Sequence, residues 1–188
     1  MDQKNFFHLR DAVAGDAAEF ARIYGHYVQT SYYTFEEVPP APEEMAARLD
    51  HIRTAGLPWR VAEARDGAVL GYAYAGRFRA RSAYRYTVEN SVYVAADRVS
   101  RGIGVALMQD LIRECTALGY RQMLAVIGDS ANEASIRLHT RLGFRTIGQE
   151  VAVGLKFGRW VDVVLMQMAL GDGRSSLPQA EPVGYVRR

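Results

Sequence analysis

The chain has 188 residues, 49% hydrophobic, 11% aromatic and 23% charged, a profile that excludes a disordered or fibrous chain and suits a single folded domain. Lys and Arg number 23 against 21 Asp and Glu, a formal charge of +2, so the basic excess of a nucleic-acid binder is missing and any anionic ligand must meet a local site. The single cysteine, Cys115, excludes an internal disulfide framework and a multi-cysteine zinc site, and no metal is expected.

Met1 to His8 carry charge without a following apolar core, and no stretch approaches the roughly 18 apolar residues of a membrane span. The expectation is a cytoplasmic protein with no membrane partner. Phe6 to Arg10 reads as a short strand, and Asp16 opens a helix in which Phe20, Ile23, Tyr24, Tyr27 and Val28 share one face. After Pro39, Pro40 and Pro42 a second helix starts at Glu43 and fades near Gly56. Trp59 to Ala64 and Val69 to Ala75 alternate around Asp66-Gly67, an antiparallel hairpin signal, and Thr87 to Val94 is the next strand. Beyond Gly102, residues Ile103, Leu107, Leu111, Cys115 and Leu118 form one buried helical stripe.

Gln122 to Ile127 reads as a short central strand and Asn132 to Arg141 as a helix ending at Gly143. Phe144 to Gly154 and Trp160 to Leu170 close the domain as two strands around Phe157-Gly158-Arg159. Antiparallel strands first and βαβ crossovers later make an α/β domain with a mixed sheet. The domain spans residues 1–170; residues 171–188, beginning Gly-Asp-Gly-Arg-Ser-Ser-Leu-Pro, form a C-terminal tail that a second subunit would hold.

The segment from Val92 through Gly104 passes from strand to helix across a glycine-bearing turn, Ser100-Arg101-Gly102-Ile103-Gly104. Free amides in a first helical turn, with the helix dipole behind them, suit an anion. A P-loop would need Lys-Ser/Thr and a dinucleotide fingerprint would need Gly at 107, where Leu107 stands. Gly-x-Gly alone leaves a ligand-free helix start equally open.

Four blocks together carry more: Tyr84-Arg85-Tyr86-Thr87-Val88-Glu89-Asn90-Ser91-Val92-Tyr93-Val94; Arg101-Gly102-Ile103-Gly104; Gly128-Asp129-Ser130-Ala131-Asn132-Glu133-Ala134-Ser135-Ile136-Arg137-Leu138-His139; and Lys156-Phe157-Gly158-Arg159-Trp160-Val161-Asp162. With the order of elements, they resemble the GCN5-related N-acetyltransferase (GNAT) family over roughly Phe7 to Leu170, and within it the phosphinothricin and methionine sulfoximine acetyltransferase branch. One position departs: Val99 stands where the family commonly has Gln or Arg.

The resemblance implies a mixed central sheet of about seven strands flanked by about four helices. It also implies acetyl-CoA as co-substrate and acetyl transfer to the α-amine of a small amino-acid-like acceptor. A homodimer is expected, its two-fold bringing Lys156, Phe157 and Trp160 to the site. The coenzyme would meet Val92, Tyr93 and Val94 on a strand that splays from its neighbour, Ser100 to Ala106 (including Arg101, Gly102, Ile103, Gly104 and Val105) at its phosphates, and Asn132 and Ser135 on the later helix.

Glu89 is the expected general base, since only a deprotonated amine attacks a thioester; a surface glutamate paired with Arg85 is the plainer reading. His139, two turns from Asn132 on one helix face, would protonate the thiolate or touch the acceptor, against the plainer role of a packed histidine. Arg79, Arg81 and Tyr84 would anchor the acceptor carboxylate, and Phe35 would wall its pocket. Two other functions stay open: a coenzyme A binding or sensing module without transfer, and an acetyltransferase of protein or peptide amines, against which the arginine run at 77–85 argues.

Overall fold

The computed structural model describes residues 6–185. The reading of Met1 to Asn5 and the last three residues of the tail therefore lie outside the described residues. The chain orders itself as β1 (Phe7–Asp11), α1 (Ala17–Thr30), α2 (Pro42–Thr54), β2 (Trp59–Ala64), β3 (Val69–Arg77), β4 (Thr87–Val94), α3 (Ile103–Ala117), β5 (Gln122–Gly128), α4 (Glu133–Arg141), β6 (Arg145–Lys156) and β7 (Arg159–Ala169).

Small shifts from the expected boundaries have local causes. Pro42 joins α2 because the first turn has no use for its missing N–H. Asn132 caps α4 and does not belong to it, its Oδ1 accepting from the Ser135 amide at 3.2 Å. Arg159 enters β7 because Phe157 (φ 48°) and Gly158 (φ 72°) alone make the turn, a two-residue hairpin link in the left-handed region.

The seven strands form one mixed sheet in the order β1-β2-β3-β4-β5-β7-β6. Every neighbouring pair is antiparallel except β4 with β5, which α3 links as a crossover. The second expected crossover does not give adjacent parallel strands, because β7 inserts between β5 and β6.

Alternation sorts the side chains onto two faces. Tyr72 and Tyr74 of β3 pack with Phe20 and Trp59 beneath α1, the Trp59 and Tyr74 rings stacking at 4.3 Å. On the opposite face Leu107 of α3 reaches Gly71, where an added Cβ would lie only 2.7 Å from the Tyr93 carbonyl oxygen. Cys115 is fully buried on the α3 stripe, and burial pushes its thiol up to about 12, so it offers no thiolate nucleophile.

The described tail is held by its own chain. The Val183 amide donates to the Leu118 carbonyl at 2.9 Å, Tyr86 Oη to the Ala180 carbonyl at 3.2 Å, and Arg85 pairs with Glu181 at 2.7 Å.

Candidate active site

β4 pairs with β3 along its whole length, through Gly71↔Val94, but with β5 only from Thr87↔Gln122 to Asn90↔Ala125. Past Asn90 the two parallel strands part. The expected splay is present, and no bulge interrupts the β3 register to produce it.

The bond from the Ala95 amide to the Leu70 carbonyl at 2.8 Å makes Gly71↔Val94 a pair that does not bond to itself. Val92 and Val94 therefore turn their peptide groups toward the gap, while those of Tyr93 fall to β3. Of Val92, Tyr93 and Val94, expected to meet the coenzyme, Tyr93 therefore has no backbone group to offer; it reaches the cleft with its ring, packed on Tyr24 and Tyr27. The Val94 carbonyl already accepts from Tyr27 Oη at 2.6 Å.

The gap opens into a cleft of about 870 Å³ that runs on to the start of α3. Ser100 (φ 63°) and Gly102 (φ 79°) turn the chain through the left-handed region there, and no side chain caps the helix. The first intrahelical bond is donated by the Ala106 amide to Gly102 at 3.0 Å. The amides of Ile103, Gly104 and Val105 precede that bond and are the free donors, with the dipole behind them.

The Ala106 amide is accordingly not free, and the residue does not line the cleft. Arg101 points elsewhere too, exposed, whereas Arg98, Val99, Ser100 and Gly102 through Val105 do line it. Arg137 and Arg141 of α4 also face the cleft, a pair that sequence reasoning passed over although their four-residue spacing puts them on one helix face.

At the point of parting stand Glu89 and Asn90, on opposite faces by alternation. Glu89 shares the α1 face with Tyr74 and Tyr93, and it lines the cleft. Burial alone raises its carboxyl above the ordinary glutamate value. The pairing with Arg85 left open by the sequence goes to Glu181.

His139 is 2% exposed on the other face, with Nε2 3.0 Å from Asn90 Oδ1 and Nδ1 2.8 Å from the Ser135 carbonyl. Asn132 and Ser135 line the same wall.

The loop from α1 to α2 closes the far side. Gly128 lets it pass, since a Cβ there would meet the Tyr32 and Tyr33 carbonyl oxygens at 2.9 and 3.0 Å. Gly154 seats the Phe35 ring by the same means, and Phe35 lines the cleft as expected of a wall.

Lys156 does not present its ammonium to an acceptor. It is 1% exposed, and Nζ donates to the Thr34 carbonyl at 2.8 Å, so it holds the loop that carries Phe35. Phe157 and Trp160 are exposed and off the cleft wall. Arg79, Arg81 and Tyr84 occupy the β3–β4 connection, also off the wall, with Arg79 5.3 Å above the Tyr84 ring. No group of metal-ligating side chains occurs among the described residues.

An acetyltransferase (GNAT) domain family matches residues 9–165. The chain is 49% identical over 164 residues to a phosphinothricin N-acetyltransferase of Alcaligenes faecalis, covering 87% of this chain and 83% of that one. It is 42% identical over 168 residues to an L-methionine sulfoximine/L-methionine sulfone acetyltransferase of Pseudomonas aeruginosa, covering 89% and 97%. Its fold superposes on a GNAT superfamily phosphinothricin acetyltransferase from Sinorhizobium meliloti, solved in complex with AcCoA, with a TM-score of 0.90 at 46% identity, over 95% and 96% of the two chains.

The raised Glu89 carboxyl has a consequence for stability. Above its folded value the charged form is penalised only in the folded state; below the ordinary value near 4.5 it is neutral in both states. Glu89→Gln is therefore expected to raise the thermal midpoint at neutral pH, the gain vanishing as pH falls below about 4. Scanning calorimetry from pH 7 down to pH 4 checks this, and an unchanged or lowered midpoint at pH 7 contradicts it.

Proposed function

The chain belongs to the GNAT acetyltransferases, and from that premise we propose that it moves an acetyl group from acetyl-CoA to the α-amine of a small amino-acid-like acceptor, of the phosphinothricin or methionine sulfoximine and sulfone type, with Glu89 as general base. The observation that carries this reading is one gap in one sheet. A half-buried carboxylate stands at its apex, two backbone groups face into it, and three free helical amides lie at its mouth. The residues fit acetyl-CoA, whose part is to supply an activated acetyl thioester. The amides of Ile103, Gly104 and Val105 suit its pyrophosphate, with Arg98 beside them offsetting the loss of a polar side chain at Val99. The extended pantetheine matches the edge that β5 leaves bare, as an added strand would.

Glu89 takes a proton from the acceptor ammonium, directly or through one water, and its raised carboxyl narrows the mismatch with that amine. The free amine then attacks the carbonyl carbon; a C–N bond forms as the C–S bond breaks. The Val92 or Val94 peptide N–H, held rigid by the β3 ladder behind it, is placed to stabilise the oxygen on which charge develops. The attacking nitrogen still carries a proton to shed, which satisfies the departing thiolate, so the balance needs no separate acid. The anchor for the acceptor carboxylate falls to Arg79, Arg81 and Tyr84 of the β3–β4 connection, which lie outside the cleft wall, and Phe35 of the wall itself packs on the acceptor side chain.

The working form is a homodimer. Its support is the apolar surface of the β6–β7 hairpin, where Val151 is 72% and Trp160 64% exposed beside Ile147, Val153, Leu155 and Phe157. A two-fold there would bring Phe157 and Trp160 to the neighbour's site.

Two experiments follow. An acceptor screen with thiol detection, using phosphinothricin, methionine sulfoximine, methionine sulfone and a peptide amine, is expected to give activity on the small amino acids. Glu89→Gln should cut that turnover by about 10²–10⁴-fold while acetyl-CoA affinity holds. Activity on the peptide alone, or unchanged turnover in Glu89→Gln, would overturn the reading; binding with no thiol release from any amine would point to a sensing module. For the assembly, light scattering should give twice 21.0 kDa for the native chain and 21.0 kDa for Val151→Glu/Trp160→Glu. Equal masses contradict the assigned interface.

A further inference from the structure

Asparagine is a poor strand former, yet Asn90 sits inside β4 at 6% exposure, at the last position paired to β5. Its side chain is fully committed. Nδ2 donates to the Leu124 carbonyl at 2.8 Å, which leaves Oδ1 facing His139 Nε2 at 3.0 Å. His139 in turn sets Nδ1 2.8 Å from the Ser135 carbonyl of its own helix, and its ring stands edge-on to Phe144 at 4.9 Å. The chain of contacts thus runs from the β5 backbone through β4 to α4.

Each link answers a specific need. At the last paired position the Asn90 amide adds a side-chain tie to the neighbouring strand, donating to the Leu124 carbonyl of a pair still in register. An aspartate there could not donate, and a leucine could neither donate nor accept. Asn90 Oδ1 accepts, so His139 Nε2 carries the proton between them, and Nδ1 lies against Ser135 of its own helix, which engages both ring nitrogens within the fold. The transfer as balanced above needs no acid from it.

We propose that Asn90 and His139 are positioning residues: together they form a strut that fixes the width of the gap between β4 and β5 and seats α4 against it. One side of the gap carries the Val92 and Val94 peptide groups, and the other carries Asn132 and Ser135. The strut sets the distance between the two walls that receive acetyl-CoA. This inference rests on the acetyl-CoA reading of the cleft, and neither residue touches the reacting atoms.

The test compares replacements of His139 by what they can donate. His139→Gln carries an amide N–H to about the position of Nε2 and can still reach Asn90; His139→Leu cannot. His139→Asn ends near the Nδ1 position and also loses the link, so it provides the same comparison without an apolar side chain should the leucine variant not fold.

Acetyl-CoA affinity is measured by calorimetry, and KM and kcat with the best acceptor are measured alongside. His139→Leu, His139→Asn and Asn90→Leu should each weaken acetyl-CoA binding and raise its KM by about tenfold or more, with a smaller change in kcat, while His139→Gln stays within about threefold of the native chain in all three. Two results overturn the strut: a His139→Gln protein that does not fold or falls as far as His139→Asn, and link-breaking variants that bind acetyl-CoA as the native chain does. A native chain that binds acetyl-CoA but acetylates nothing would defeat the acceptor reading and leave this comparison of affinities standing.

Discussion

The structure turns on where β4 and β5 stop pairing. A parallel pair buried between helix layers would ordinarily run its ladder to the end, because a buried peptide group without a partner is costly. Here the pairing ends at Asn90 while β4 continues, fully bonded to β3, for four more residues. That leaves a rigid strand with one bare edge, and the bare edge lines the cleft. The β3 ladder keeps Val92 and Val94 in extended geometry. The Tyr27 hydroxyl on the Val94 carbonyl meets part of the demand that the missing ladder creates, and the Asn90 amide on the Leu124 carbonyl adds a tie at the last paired position.

From this parting the remaining features find their places. Period-two alternation sends Glu89 to the α1 face and Asn90 to the α4 face, so one short stretch of strand supplies a carboxylate to one side of the gap and a structural bridge to the other. The α1–α2 loop reaches the first side only because Gly128 and Gly154 have no side chains and Lys156 holds the Thr34 carbonyl. α3 starts where β4 ends, and the turn through Ser100 and Gly102 brings its unbonded amides to the mouth of the same gap. The near-neutral charge of the chain is compatible with anion binding because the donors are peptide groups whose count never enters the net charge.

Much of this was legible in the sequence, and the reasons differ by element. The stripes of α1 and α3, the alternation of β2 and β3 and the punctuation at Pro42, Gly67, Gly102 and Gly158 are local signals, and they located the elements to within a residue or two. The family resemblance supplied the splay and named Glu89. What stayed hidden depends on register between segments distant in the chain. Whether Tyr93 or its neighbours face the gap is decided by one bond, from Ala95 to Leu70. Lys156 reads as a surface cation until its strand pairs and its ammonium falls under Thr34. Arg85 reads as a partner for Glu89 or as part of an acceptor patch until the tail returns with Glu181. Asn90, inside a quoted motif, drew no notice because its two partners come from β5 and α4.

Acetyl-CoA lying in the gap as an added strand would bond to β4 and to the first turn of α3. Amide hydrogen exchange of the intact protein, with and without saturating acetyl-CoA, reads this directly, since each free N–H that gains a partner must slow. Exchange is expected to slow at Val92, Val94, Ile103, Gly104 and Val105, with Tyr93 and Val88, already bonded in the sheet, unchanged. Protection elsewhere on the chain, with these five amides exchanging as in the free protein, would contradict it.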